Sequence, residues 1–307
     1  MRKLIKNKTF SYFGALICAA LWGTAFPLIK LGYEKLDIAQ SDIASKLLFA
    51  GERFALAGII VFIFGFLIYR KSPLPKKTDL AAISLLGIVQ TALQYLFAYI
   101  GVGFTAASNT SVITGTVSII SVILAGIFFK NDKLTVLKIT GCILGLFGIA
   151  CVNFTDFSLS PITFLGDIIV LLSAVSGAFG NIITKKISYG KDPTAVTALQ
   201  LFIGGMILFI IGLLFGGKTY FNSFEPIIIL VWLSLVSSIS FLLWTALLKY
   251  HPVSRITVFT MLIPVFGTVW SFILLGEDIF KTENLISLAL VSAGIVLVNI
   301  KGNKNED

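Results

Sequence analysis

A small set of side chains in this sequence offers polar chemistry inside otherwise apolar stretches. Gln90 and Gln94 stand four residues apart, which on a helix puts two amides on one face, one turn apart. Tyr95 and Tyr99 repeat that spacing on the neighbouring face, and Asn181, Trp244 and Thr245 add an amide, an indole N–H and a hydroxyl. Trp22 sits near the centre of another apolar stretch. None of these groups titrates near neutral pH, so the chemistry they offer is recognition rather than proton transfer. Amide and hydroxyl groups between aromatic walls suit a neutral or zwitterionic small molecule. The competing role is to tie helices together, which is the expected role of most serines and glycines here.

Ionisable residues avoid the middle of the apolar stretches. Lys30, Glu52, Arg53 and Asp167 fall near one set of ends, and Lys185, Lys249 and Arg255 near the other. Their expected behaviour is to reach out toward lipid headgroups. Arg53 is the exception to watch: it fits an outer vestibule, paired with Glu52 or Asp167 or facing an anionic group of a substrate. No carboxylate is expected at mid-depth, which argues against tight proton coupling through a buried Asp or Glu. His251 is the single histidine, and no HExxH, P-loop or paired-carboxylate pattern occurs. Cys18, Cys142 and Cys151 have no metal-ligand spacing and read as small buried hydrophobes. No catalytic residue, metal or cofactor is expected.

The elements that carry these residues follow from composition. The chain has 307 residues, 57% of them hydrophobic and 13% charged, with a mean hydropathy of +0.97. A soluble domain is about one-quarter charged. A chain with half that charge cannot cover a soluble surface, which excludes a cytosolic enzyme or nucleic-acid-binding domain. Charge-poor stretches of about 20 residues, the length that crosses a bilayer, start near Thr9, Leu47, Leu80, Phe104, Ile139, Ile168, Pro193, Pro226, Ile256 and Asn284. Their length and lack of alternation exclude barrel strands. The expected fold is an all-α polytopic membrane protein of ten transmembrane helices. With the N-terminus inside, 18 of the 24 Lys and Arg fall on the inner side, so both termini are expected in the cytoplasm. That bias also accounts for the net charge of +9 without nucleic acid.

The two halves resemble each other at an offset of 146: residues 106–153 lie over 252–299 without a gap. Ser111, Thr114, Ser118, Ser121 and Ala125 form one helix face, matched by Thr257, Thr260, Pro264, Gly267 and Ser271. Ser118 and Pro264 are therefore expected beside the cavity, Pro264 as a kink in mid-helix. Five spans per half is an odd number, so the second copy runs inverted, the architecture of secondary transporters. The expected halves are residues 1–155 and 156–307.

Trp22-Gly23-Thr24-Ala25-Phe26, Arg53-Phe54, the Pro264 helix ending in Leu275-Gly276-Glu277, and Gly294-Ile295-Val296-Leu297-Val298-Asn299 carry a resemblance to the drug/metabolite transporter superfamily, specifically its EamA-type ten-helix permeases. The sequence departs from that pattern at Ser118 and Asn131, where the first half often has a proline and a glutamate, and in a longer loop over 32–46. The resemblance implies a cell-membrane secondary transporter that exports a small organic metabolite, an amino acid or a related compound, by rocking the halves about a central cavity. A monomer or homodimer in the bilayer, with a small-molecule substrate, is implied. The alternatives are a glycolipid flippase or nucleotide-sugar carrier, or a membrane-embedded lipid-modifying enzyme or scaffold.

Overall fold

The computed structural model describes residues 2–69, 75–105, 107–153, 161–276 and 282–300. Among them, apolar helices follow one another from end to end. They are α1 (Lys8–Lys35), α2 (Ile43–Tyr69), α3 (Lys77–Val102), α4 (Ala107–Phe128) and α5 (Val136–Asn153). The second set is α6 (Pro161–Ser188), α7 (Pro193–Leu214), α8 (Phe224–Tyr250), α9 (Val253–Leu274) and α10 (Thr282–Asn299). Eight of these have the length and hydropathy of a membrane span, and α4 and α5 hold shorter apolar segments. The fold is that of a polytopic α-helical membrane protein, as the composition implies. The expected boundary between halves, at 155/156, lies outside the described residues.

Local chemistry explains the ends. Asn7 caps α1 by accepting from the Thr9 and Phe10 backbone N–H groups, and Asp192 caps α7 from Thr194 N–H with Pro193 at the first helical position. Gly276 ends α9 in the left-handed region, at φ 70°, where a Cβ would be strained. The loop expected over 32–46 is shorter, since α1 runs to Lys35 and α2 begins at Ile43.

Two helices depart from regularity. Within α3, Gly87–Leu93 forms a π-helical segment, a local widening common at functional sites. Within α9, a short helical turn (Val253–Thr257) passes through a 3₁₀ segment (Val258–Leu262) before Ile263–Leu275 resumes. Pro264 stands in the middle of this span, where the helical type changes. Proline stands at the start of a new helical segment, and the Thr260 carbonyl, the one it cannot bond, accepts from Ile263 N–H.

Packing interlocks the two sets of five. α1 lies against α8 and α9, and α6 lies against α3 and α4. α2 meets α8 as α7 meets α3, while α2·α7 and α5·α10 are direct pairs. Each contact maps onto another when every helix is replaced by the one five positions later. The α2·α7 pair crosses antiparallel through glycines: Gly51 faces Phe209, Gly58 faces Ala198 and Phe202, Gly205 faces Phe54 and Ala55, and Gly212 faces Leu48. The α5·α10 pair does the same, with Gly141 against Gly294 and Gly148 against Leu290. Small residues allow this backbone approach, and in lipid it is van der Waals packing that holds helices together.

Candidate functional site

Where the two sets of helices meet, side chains from five spans form one buried polar network. Gln90 on the π segment of α3 is its hub. Its Oε1 accepts from Thr184 Oγ1 and from Gln200 Nε2, both at 2.9 Å, and its Nε2 donates to Asn181 Oδ1 at 3.3 Å. Asn181 Oδ1 also accepts from Trp244 Nε1 at 3.0 Å, and its Nδ2 donates to Ser121 Oγ at 3.1 Å. The members come from α3, α4, α6, α7 and α8, and all are buried. Gln200 Oε1 is buried with no partner. Gln90 fits because Gly180 leaves room on α6, and Gln94 sits one turn along against Gly177. The two glutamines thus share a face, as their spacing implies.

An aromatic chain rises from this network toward the opposite end of the bundle. Trp244 meets Trp22 with centroids 5.0 Å apart, Trp22 meets Phe241 at 5.4 Å, and Phe241 meets Phe54 at 6.3 Å. Phe54 meets Tyr95 at 4.4 Å, and Tyr95 meets Tyr99 at 6.5 Å. The edge and tilted geometries are those favoured by ring quadrupoles. Trp22 Nε1 is buried with no hydrogen-bond partner.

Arg53 lies beside this chain, and its placement corrects the sequence reading. It is the eleventh residue of α2, about 15 Å along the helix from Ile43. Its Nε donates to Ser237 Oγ at 2.9 Å, and Ser237 is the central residue of α8. Arg53 therefore sits at mid-depth, 2% exposed, and does not reach toward headgroups. Neither carboxylate expected beside it is its partner. Glu52 accepts from Thr219 Oγ1 at 2.6 Å, and Asp167 accepts from Thr105.

Other expected site residues are placed elsewhere. Thr245 pairs with Thr197 at 3.0 Å. Ser118 ties α4 to α9 by bonds to the Thr257 carbonyl and Thr260 Oγ1. The spacing rules point to Trp22, Gln90, Asn181 and Trp244, which the fold gathers together. Ser121 belongs to the polar face already read on α4, whereas the spacing rules do not single out Thr184 or Gln200, whose partner Gln90 lies on another helix. The Gln94 side chain makes no hydrogen bond to another described residue, while its backbone N–H bonds within the helix. Gln94→Ala should therefore leave thermal stability within about 0.5 kcal/mol while lowering transport in reconstituted vesicles. Unchanged transport would remove Gln94 from the site.

The end of the bundle that carries the N-terminus is closed by a second set of bonds. Asp132, after α4, accepts from Ser254 N at 2.9 Å and from Ser254 Oγ at the start of α9, and it pairs with Lys138 at 2.9 Å. Lys185 donates to the His251 carbonyl at 2.8 Å, and His251 Nε2 bonds the Ile5 carbonyl at 2.7 Å. The depression of about 400 Å³ lined by Lys130, Asp132, Lys185 and His251 opens here, away from the mid-depth groups. Burial, with Arg255 and Lys185 nearby, holds the His251 imidazole below its usual pKa of 6.5, although the bond to Ile5 opposes this. A depressed histidine costs the docked form stability as pH falls through the free value, because the released form binds the proton first. A cysteine placed at Ile5 should thus label faster at pH 5.5 than at pH 7.5 when each rate is divided by that of the same thiol in the unfolded chain, which removes the loss of thiolate at low pH. Equal normalised rates would exclude His251 as the cause.

The comparisons with known proteins agree with this architecture. The model of the EamA-like transporter family matches residues 9–154 and again 164–300. An uncharacterized transporter of Bacillus subtilis, YvbV, is 29% identical over 98% of this chain and 94% of its own. A probable amino-acid metabolite efflux pump of Escherichia coli is 24% identical, and one of Salmonella typhimurium 25%, each over 94% of both chains. One crystal structure superposes with a TM-score of 0.81 over 95% of this chain and 97% of that one, at 15% identity, which speaks to the fold.

Proposed function

Since the chain belongs to the EamA-like transporter family, we propose that it exports a small amino acid or related metabolite across the cell membrane by alternating access. One observation carries this reading. Five spans from both sets of helices converge on the Asn181 network, and the aromatic chain with its buried donors begins directly from it. Polar groups that span an interlock of this kind can open and close as a unit, which a static scaffold does not need. The basic residues favour placing the N-terminal end of the bundle in the cytoplasm. In that orientation the Asp132–Ser254 bonds and the Asn181 network close the cytoplasmic side.

Packing also suggests which parts move. Each set of five lends its first helix to the other, so α1 travels with α8 and α9, and α6 with α3 and α4. The glycine-lined α2·α7 and α5·α10 pairs supply smooth surfaces between the two bodies. The names of the two efflux-pump relatives support an amino-acid-like substrate.

Counterflow tests the proposal. Proteoliposomes preloaded with unlabelled amino acids should accelerate uptake of the same labelled compounds. No acceleration by any amino-acid pool, with folded protein in the membrane, would reject the assignment.

A further inference from the structure

We propose that Arg53 is the receptor for a substrate carboxylate, and that this carboxylate, rather than an ammonium group, selects what the protein carries. The inference rests on the transport reading above and sharpens it.

The argument begins with an imbalance of charge. Arg53 is a permanent cation at mid-depth, 2% exposed. Its protein contacts are one hydrogen bond, from Nε to Ser237, and the face of Phe54, whose centroid lies 4.9 Å from Cζ. Four further guanidinium N–H donors remain, and no carboxylate among the described residues forms an ion pair with them. A buried cation is costly unless an anion faces it, and a cation–π contact returns only part of that cost. A structural arginine would have been given an acidic neighbour. The acid adjacent in sequence, Glu52, is instead held by Thr219 in the connection between α7 and α8.

The surroundings supply the rest of a carboxylate site. Tyr33 and Tyr95 lie within electrostatic reach of Arg53, and the buried Tyr33 hydroxyl faces that of Tyr99. The planar fork of the guanidinium matches two carboxylate oxygens. The wall from Tyr95 through Phe54 and Phe241 to Trp22 then suits an apolar or aromatic body, with the unpartnered Trp22 N–H at its far end. An amine without a carboxylate leaves Arg53 unpaired and brings a second positive charge beside it. Deaminated acids should therefore be accepted along with amino acids, and amides and amines refused.

The test uses purified full-length protein and three probes of one shape: 3-phenylpropionate, 3-phenylpropionamide and 2-phenylethylamine. A ligand that binds the folded state raises the melting temperature. The acid should raise it and the other two should not. Arg53→Gln should weaken the acid by at least about 30-fold, and Arg53→Lys, which keeps the charge but loses the fork, by less. Should Arg53→Gln fail to fold, Arg53→Lys and the wild-type probe series decide. Equal shifts with acid and amide, no shift with any probe, or a variant that responds like wild type would overturn the inference. Counterflow separates it from the transport reading. An acid-specific shift without counterflow removes the transport assignment and keeps the site, whereas counterflow blocked equally by acid and amide removes Arg53 alone.

Discussion

Asn181→Leu is expected to slow counterflow at least tenfold and to open the N-terminal side of the bundle. The leucine has similar volume but cannot accept from Trp244 Nε1 and Gln90 Nε2 or donate to Ser121 Oγ. Each buried group left unpaired costs about 1–3 kcal/mol. The loss falls on the closed arrangement through the Trp244 bond, which joins α8 to α6, helices that travel with different bodies, while the bonds to Gln90 and Ser121 hold Asn181 in place to accept it. A cysteine placed at Thr184, buried at 1% exposure, should then react with a water-soluble maleimide from the N-terminal side, where the same cysteine in an otherwise unchanged chain should not. Slow labelling in both backgrounds, with normal counterflow, would mean that the network is a static tie.

The second large effect is on folding. Gly205→Leu should prevent recovery of folded protein, and even Gly205→Ala should lower stability by more than about 3 kcal/mol. Ordinary overpacking costs about 1–3 kcal/mol because side chains give way. Here a Cβ would overlap the backbone of Phe54 and Ala55 on α2, and backbone cannot move aside without parting the α2·α7 pair. Against a total stability of about 5–15 kcal/mol the loss is severe, and thermal melting in detergent reads it directly. Gly190→Ala is the control: at φ 74° with nothing within 4 Å of its Cβ, it should cost only about 1–2 kcal/mol. Equal melting temperatures for Gly205→Ala and wild type would show that the close crossing is not required.

The helices were legible in the sequence because lipid demands apolar runs of fixed length, and no tertiary context relaxes that demand. Gln90, Asn181, Trp22 and Trp244 were legible for the same reason: a large polar group in hydrocarbon needs a partner. The partners themselves were not. Thr184 and Gln200 become visible only when α6 and α7 are placed beside α3, and Asp132–Ser254 joins residues 122 positions apart. Arg53 was read too near the membrane surface because Ser45, Lys46 and Glu52 look like loop, whereas they occupy the first turns of α2. The π segment at Gly87–Leu93 has no sequence signature, since its extra residue per turn leaves composition unchanged.

The exchange of first helices between the two sets has a consequence for how the protein is made. α1 leaves the ribosome before the nine spans that follow it here, yet its glycine face at Gly14 and Gly23 is shaped for Leu247 on α8 and Phe266 on α9. Those surfaces emerge more than 220 residues later. At the usual pace of about 5–20 residues per second, α1 spends on the order of ten seconds or more in the bilayer without its lasting neighbours. α6 emerges into a membrane where α3 and α4 are already present. The earliest of these ten spans is therefore among the last to be seated, and a nascent chain halted after α7 would carry an unclaimed α1 ready to pair with the wrong protein.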